Sequence, residues 1–413
     1  MTTRFVPPHR LPVRMANGLL GTARALGIRR RPLDAARMKT WARRMTGLKD
    51  FGDPFFEEPL RILLADINDD ADLHEAGRLM HWYFLSGFLR NRLRMVDAWK
   101  RHPETLSETI RPPLIILGLP RTATTRLFNI LSGAPNHRTL TLWEAVAPVR
   151  PKGEGTLPLH TRRLKARAML WSVDYLAPEL KSIHELLLEG PEECIHLLGN
   201  SFASWIFPVE YNAPRYTAWF DRIEHTQAYE EFKAQLQLLQ IQKPTDRWLL
   251  KSPHHIFGIE ALLKVFPDAM IVQTHRDPAK VVPSCCSLAQ TTRGIASASL
   301  DPGLLGEQIT DQLALGLERT AVFRAQIPAN RIVDVHFQEI VSQPMAVVRR
   351  IYDTFGLDLD AATEAGIKAA LNKETPGKYG EHNYTLEQFG LSRAMIEDKF
   401  GSYYETFDIV REA

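Results

Sequence analysis

An arginine and four small residues follow the first continuous apolar run of the chain. Residues 117–125 read LGLPRTATT, and a helical pattern starts at the end of this segment. The backbone N–H groups of a strand-to-helix turn converge on an anion, and the helix dipole adds to the attraction. Arg121 can neutralise such an anion, and Thr124 and Thr125 can donate hydrogen bonds to it. A plain turn with a threonine N-cap is the alternative interpretation.

Two further motifs place a cation directly after an apolar run. Lys251 follows the run 248–250 and precedes residues 252–255, SPHH. Arg276 comes soon after the run 270–274, and Ser284 lies eight residues beyond it in a helical pattern. Ligands of α/β sheets bind at the carboxyl ends of parallel strands, where an arginine can hold a phosphate through two hydrogen bonds. The alternatives are a surface lysine with capping neighbours and a structural ion pair between Arg276 and Asp277.

The elements that must position these residues alternate between short apolar runs and helical patterns. We predict strands at 114–117, 248–250, 270–274 and 332–335, with a weaker one at 139–142. We predict helices at 125–131, 256–265, 279–288 and 344–355, the last with Pro344 at its start and Gly356 after its end. Continuous apolar strands in such an alternation indicate a parallel sheet covered on both faces. The predicted fold class is therefore α/β, with a P-loop-like parallel sheet flanked by helices.

The domain organisation follows from where this alternation starts and stops. Residues 1–110 have a helical pattern and form a predicted N-terminal extension, which ends at Arg111-Pro112-Pro113. Residues 111–413 form the predicted α/β domain, interrupted by a helical insertion at about 150–245. The insertion is rich in aromatic residues, which either cover an apolar acceptor pocket or form an ordinary helical core. These residues include Trp171, Trp205, Phe207, Trp219 and Phe220.

Composition and charge narrow the class of protein. The 413 residues are 45% hydrophobic and 24% charged, which is typical of a globular chain and excludes disordered and collagen-like proteins. Three cysteines cannot form a disulfide framework and favour a reducing, cytoplasmic setting. No apolar run reaches the ~18–20 residues of a membrane span. Residues 1–50 carry a net charge of +10 and the remainder −7, so the chain begins with a basic arm. The arm either packs on the acidic body or contacts a membrane surface.

In their order along the chain, these motifs resemble those of the sulfotransferases that use 3′-phosphoadenosine 5′-phosphosulfate (PAPS), especially the bacterial branch. The family's 5′-phosphosulfate loop reads approximately P-[KR]-[ST]-G-T-T. The matching residues here are Pro120, Arg121, Thr122, Thr124 and Thr125. Ala123 stands where the family usually has glycine, at a cost of about 1 kcal/mol if the position needs a positive φ.

The resemblance extends to the rest of the donor site. The family's 3′-phosphate site is an arginine followed eight residues later by a serine, which Arg276 and Ser284 match. Lys251 matches a strand-end lysine before an S-P segment, and residues 266–269, FPDA, look like the bacterial branch. A weaker match to the family's C-terminal cofactor-covering loop rests on three residues, Gly377, Lys378 and Gly380.

The resemblance implies a reaction and roles for its residues. A sulfonate would pass from PAPS to a hydroxyl or amine, while Arg121 and Lys251 stabilise the charge that grows on the departing phosphate. Two residues resemble bases of different family members: Glu144, after the second strand, and His255, after the Lys251 strand. The alternatives are an ion pair of Glu144 with a nearby arginine and a helix-start position for His255. The sequence does not choose between them.

The resemblance also bears on partners. We expect no metal cofactor and no nucleic-acid partner, and a small-molecule, lipid or sugar acceptor whose identity the sequence leaves open. Two alternative functions are also consistent with the sequence. One is an atypical P-loop nucleotide kinase, against which the absent G-x-x-x-x-G-K-[ST] pattern counts. The other is a nucleotide-binding protein without catalytic activity.

Overall fold

A parallel sheet lies at the centre of the fold. The computed structural model describes residues 4–27, 31–149, 158–183, 186–374 and 384–412. Its strands are β1 (Leu114–Gly118), β2 (His137–Arg138), β3 (Leu140–Thr141), β4 (Pro191–Glu192), β5 (Arg247–Lys251), β6 (Met270–His275) and β7 (Ile332–His336). Five of them form one sheet in the order β2-β5-β1-β6-β7, and every pairing in it is parallel.

Helices surround this sheet and precede it. Those before β1 are α1 (Leu11–Ala25), α2 (Ala35–Thr46), α3 (Glu57–Asp69) and α4 (Glu75–Arg101). Those between β1 and β5 are α5 (Thr124–Leu131), α6 (Leu142–Val146), α7 (Pro158–Leu176), α8 (Leu180–Ile183), α9 (Ile195–Leu198), α10 (Ile206–Glu210), α11 (Pro214–Phe220) and α12 (Thr226–Gln242). Those after β5 are α13 (Ile259–Val265), α14 (Pro278–Gly294), α15 (Pro302–Arg324), α16 (Phe337–Ser342), α17 (Pro344–Phe355), α18 (Ala361–Leu371), α19 (Arg393–Lys399) and α20 (Gly401–Thr406).

Both faces of the sheet are covered, as the predicted fold class requires. All five residues of β1 are buried, and alternate side chains of a strand point to opposite faces. Leu114 and Ile116 pack in a cluster with α5 and α17, whereas Ile115 and Leu117 belong to the large cluster that includes α13 and α14. The α/β fold with helices before its first strand is therefore confirmed.

The weakest predicted strand is wrong as a member of this sheet. The fifth strand is β2, two residues long, and residues 139–142 instead contribute β3, which pairs antiparallel with β4. Residues 137–138 are His-Arg, so the edge strand has no apolar run to reveal it. The predicted helix at 256–265 also starts late, because residues 253–256 form a 3₁₀ turn and α13 begins at Ile259.

The N-terminal helices are tied to the helices between β4 and β5 by a buried ion pair. The Arg92 guanidinium of α4 donates two hydrogen bonds to the Glu231 carboxylate of α12, at 2.6 and 3.0 Å. A planar bidentate pair of this kind fixes both distance and orientation. Within the described ranges, no helix is both long and apolar enough to cross a bilayer.

Candidate functional site

The end of β1 and the loop after it contain three residues with positive φ. Gly118 has φ 137°, and a Cβ atom there would lie 2.5 Å from the carbonyl oxygen of Thr274, so only glycine fits. Arg121 and Ala123 also have positive φ, 65° and 64°. The Thr122 hydroxyl donates to the Leu119 carbonyl oxygen at 2.7 Å and lies 2.6 Å from the Thr274 hydroxyl. Thr122 therefore stabilises the loop through its side chain, which is fully engaged within the protein.

Ala123 is strained at the residue before α5, where a left-handed conformation costs an alanine about 1 kcal/mol. We expect Ala123→Gly to raise the free energy of unfolding by up to about 1 kcal/mol, which denaturant titration measures. Ala134→Gly, a buried alanine outside the left-handed positions, is the control and should destabilise. A destabilised Ala123→Gly protein would show that the loop needs the methyl group more than the relaxed backbone.

Two cationic side chains, Lys251 and Arg121, lie at the first turn of α5 and in the loop directly before it. The Lys251 ammonium, at the end of β5, donates to the Thr125 hydroxyl at 3.2 Å and pairs with the Glu193 carboxylate at 2.5 Å. Arg121 Nε donates to the Ser284 hydroxyl at 3.1 Å, and its Nη1 donates to the Ile183 carbonyl oxygen. The Lys251 side chain is only 2% exposed, so its charge acts in a site from which most water is excluded.

Arg276 lies beside this cluster and is held by a carboxylate. Its Nη1 donates to the backbone carbonyl oxygen of Arg121 at 3.0 Å, and its guanidinium stacks 3.8 Å from the Phe337 ring centre. Its other edge makes a bidentate pair with Glu412, at 2.8 and 3.0 Å. The alternative Arg276–Asp277 pair is not what the structure shows, because the Asp277 carboxylate accepts from the backbone N–H groups of Ala279 and Glu412.

Glu144 is engaged on both carboxylate oxygens. Oε1 accepts from Arg138 Nη2 at 2.7 Å, and Oε2 accepts from the backbone N–H and hydroxyl of Thr141 at 3.1 and 3.0 Å. The pair is buried, and the Arg138 guanidinium stacks 4.3 Å from the Trp248 ring centre. This geometry favours the ion-pair interpretation, in which Glu144 caps α6 and anchors Arg138.

His255 is buried but keeps one nitrogen without a partner among the described residues. Its Nδ1 lies 2.8 Å from the Tyr229 hydroxyl, and Nε2 has no hydrogen bond there. Burial lowers the pKa of the imidazole to about 3, and the nearby Glu193 carboxylate opposes that shift. A pKa this low corresponds to a neutral imidazole at physiological pH. The other histidine of the motif, His254, accepts a hydrogen bond from the Trp205 backbone N–H.

Comparison with known proteins identifies the family. The sulfotransferase family profile matches residues 112–361, which is more than half of the chain. The chain belongs to the sulfotransferase family. The matched region contains every candidate residue that the structure brings to the start of α5.

Solved structures support the same assignment over nearly the whole sulfotransferase. Sulfotransferase STF1 from Mycobacterium tuberculosis H37Rv is 30% identical, has a TM-score of 0.80, and covers 91% of this chain and 100% of its own. Sulfotransferase STF9 from Mycobacterium avium is 29% identical with a TM-score of 0.82, over 92% and 98% of the two chains. A curated relative, omega-hydroxy-beta-dihydromenaquinone-9 sulfotransferase Stf3 of Mycobacterium bovis, is 23% identical over 79% of this chain and 84% of its own.

Two acidic residues of the candidate site belong to no sequence motif and were not predicted from the sequence. Glu193 follows β4, inside the stretch predicted as a helical insertion. The pairing of β4 with β3 and a hydrogen bond from the Cys194 backbone N–H to the Lys251 carbonyl oxygen, at 3.1 Å, hold it beside Lys251. Glu412 reaches Arg276 across 136 residues of sequence. Gly377, Lys378 and Gly380, the weaker match, lie outside the described residues. No group of three His, Cys, Asp or Glu side chains suited to a metal ion occurs within the ranges that the structure describes.

Most of the aromatic residues of the predicted insertion are core residues of the sulfotransferase. Phe207 and Phe220 are fully buried, Trp205 is nearly so, and Trp219 packs against the same cluster. The ordinary helical core therefore explains these four, and they do not line an open pocket. Trp171 is the exception, with 70% of its surface exposed.

Proposed function

We propose that this sulfotransferase uses PAPS as donor and transfers the sulfonate to a hydroxyl or amine of a lipid acceptor. Two observations carry the donor. Lys251 donates a hydrogen bond to Thr125 in the first turn of α5. Ser284 and Arg276 are both hydrogen-bonded to Arg121 in the loop directly before that helix. The close approach of Gly118 to Thr274 keeps the loop backbone clear for an anion. These residues fit a ligand that carries one anionic group at each end of this cluster.

The chemistry needs positive charge on the side of the leaving group. During transfer, negative charge grows on the phosphate oxygen that leaves the sulfur, and fixed cations lower that barrier without reorganising. Lys251 and Arg121 supply such charge, so we propose a reaction that needs no metal ion. Cys285, next to Ser284, is not a nucleophile here, because burial raises the pKa of its thiol to about 12.

The proposal that the acceptor is a lipid is supported first by a relative. The curated relative Stf3 is named for a menaquinone derivative, which is a lipid. The described chain offers a further argument, an exposed apolar surface on α1 and α7, developed in the next subsection.

The donor assignment is tested by calorimetry with 3′-phosphoadenosine 5′-phosphate, the product of donor turnover. We expect it to bind far more tightly than AMP, which lacks the 3′-phosphate, and than ATP with Mg²⁺. Equal affinity for the 3′-phosphorylated nucleotide and AMP would contradict the assignment of a 3′-phosphate site. A preference for ATP would remove PAPS as donor.

Arg276→Ala should weaken binding of 3′-phosphoadenosine 5′-phosphate by about 1.5–3 kcal/mol, roughly 10- to 150-fold in Kd, because a charge-assisted phosphate contact is lost. AMP is the control ligand, since it has no 3′-phosphate for Arg276 to bind, and its affinity should fall far less. Calorimetry measures both. An equal loss for the two nucleotides would mean that Arg276 supports the loop rather than the 3′-phosphate.

Glu412→Gln should tighten binding of the same nucleotide by about fivefold, because the carboxylate now on Arg276 must leave before a phosphate can take its place. The factor is modest because both side chains are about one-fifth exposed. Glu405→Gln removes an exposed acid from the same tail and is the matched control. If Glu412→Gln binds more weakly than the wild type, the carboxylate helps to hold Arg276 in place and does not compete with the ligand.

A further inference from the structure

The first helix is attached to the body by one face only. Val13 is buried, and Asn17 Oδ1 accepts a hydrogen bond from the Ala76 backbone N–H at 2.9 Å. Arg24, further along the same face, pairs with Glu75 at 2.9 Å. These contacts seat α1 on the start of α4 and leave its opposite face directed away from the protein.

That opposite face of α1 is apolar. Leu11, Met15 and Leu19 are spaced by four residues, so they lie on one side of the helix. Each is at least 60% exposed, and Leu26, just beyond the helix, is 80% exposed. A contiguous exposed apolar row of this kind marks an interaction surface rather than a solvated helix face.

Helix α7 repeats the arrangement. Leu164, Ala168, Trp171 and Tyr175 follow helical spacing, and all four are exposed, whereas Ala166 on the other face is fully buried. The Trp171 and Tyr175 rings stack with their centres 5.8 Å apart. Tryptophan and tyrosine favour the boundary between lipid tails and water, because each has an apolar ring and a polar group.

A hydrogen bond connects the start of α1 to α7, and the region around both helices is positively charged. Arg10, directly before α1, donates to the Tyr175 carbonyl oxygen at 3.2 Å. Helix α1 contains two arginines and no acidic residue. The exposed cations of this region include Arg10, Arg14 and Arg167. The one acid of α7, Asp174, pairs with Lys181 at 3.0 Å.

We propose that these outward faces form one docking surface for a bilayer rich in anionic lipids. The docking surface consists of Leu11, Met15, Leu19, Leu164, Trp171 and Tyr175. Apolar side chains enter the boundary of the acyl chains, and the flanking arginines attract anionic headgroups. A second copy of the chain is the poorer occupant, because a symmetric contact would bring two cationic surfaces together.

The docking surface adjoins the catalytic site along the chain. Helix α8 follows α7 after three residues, and the carbonyl oxygen of its last residue, Ile183, accepts a hydrogen bond from Arg121. Ile183 lies eight positions after Tyr175, so the two are at most about 29 Å apart. A bilayer on α7 would therefore hold a lipid acceptor near the reacting groups. This deepens the proposed function and rests on it only for the identity of the acceptor.

Vesicle co-sedimentation without donor or acceptor tests the docking surface. The wild-type protein should bind vesicles of phosphatidylcholine with about 30% phosphatidylglycerol, and bind pure phosphatidylcholine vesicles far less. The double variant Met15→Glu/Leu19→Glu and the single variant Trp171→Glu should each lose at least about tenfold in partitioning. Val322→Glu, at a 65% exposed position on α15, is the matched control and should bind as the wild type does.

Three results would overturn the proposal. The first is a wild-type protein that stays in the supernatant with anionic vesicles, and the second is an equal loss in Val322→Glu. The third is a wild-type dimer that the same variants dissociate, without any vesicle binding, which would make a second copy the occupant. Vesicle binding without sulfonate transfer would uphold the docking surface and overturn the proposed function instead, so the two failures are distinguishable.

Discussion

Replacing Lys251 with methionine should lower kcat by about 10²–10³ while the affinity for 3′-phosphoadenosine 5′-phosphate changes far less. Methionine keeps much of the apolar volume of the lysine side chain but removes the charge at the end of β5. The buried ammonium lies against Thr125 at the start of α5, where a charge acts with little screening. Its stabilisation grows during the transfer, so the loss falls on the rate rather than on binding.

Steady-state kinetics together with calorimetry separates those two effects. Lys264→Met is the matched control, since Lys264 is a half-exposed lysine paired with Glu260 on α13. Because Lys251→Met leaves the Glu193 carboxylate without its cation, the double variant Lys251→Met/Glu193→Gln controls for an unpaired buried charge. A double variant that recovers the wild-type kcat would show that the unpaired Glu193 carboxylate, and not the loss of the ammonium, causes the defect.

His255→Asn and Glu144→Gln should differ sharply. We expect His255→Asn to lose roughly 10²–10⁴ in rate with an unactivated alcohol acceptor, because His255 follows the Lys251 strand and keeps an imidazole nitrogen without a described partner. Glu144→Gln should keep most of its rate but unfold more easily, since it breaks a buried pair with Arg138 and leaves that charge uncompensated. Rate measurements and denaturant titration on both variants check this contrast.

The pH dependence supplies a second readout. Burial lowers the pKa of His255 from its ordinary 6.5 to about 3, and only the neutral imidazole accepts a proton. The acid limb of kcat/KM that belongs to His255 should therefore lie well below pH 6.5 in the wild type and vanish in His255→Asn. An acceptor with a low-pKa hydroxyl should partly rescue that variant and should not rescue Lys251→Met. If both His255→Asn and Glu144→Gln stay near full activity, neither residue is the base.

Local patterns were sufficient to predict most of the sheet. Strands β1, β5, β6 and β7 are apolar runs followed by turn residues, and such runs have few other ways to be buried. Helix α17 was predicted with its observed bounds, because Pro344 starts it and Gly356, with φ 61°, ends it. Strand β2 was missed because an edge strand of two polar residues leaves no periodicity to detect.

The residues of the candidate site also fall into two groups, those that the sequence could predict and those that it could not. Arg121, Lys251 and Arg276 could be found because each follows a predicted strand, and parallel strands end at one edge of the sheet. Glu193 and Glu412 could not be found in this way. Both reach the site through tertiary contacts, the pairing of β3 with β4 and the docking of the tail on Asp277, which no local pattern encodes.

Hydrogen bonds join Arg276 to the Arg121 backbone and Arg121 to Ser284, so we expect the two proposed anion sites to be coupled. A group bound at either end orders residues that the other end also uses, so part of the conformational entropy is lost only once. Binding free energies measured for separate fragments of the donor should then sum to less than that of the intact molecule. By the same coupling, substitutions at Arg121 and Arg276 should be non-additive in a double-mutant cycle. The proposed selectivity for a doubly anionic nucleotide would then depend on the link between the sites as much as on either arginine.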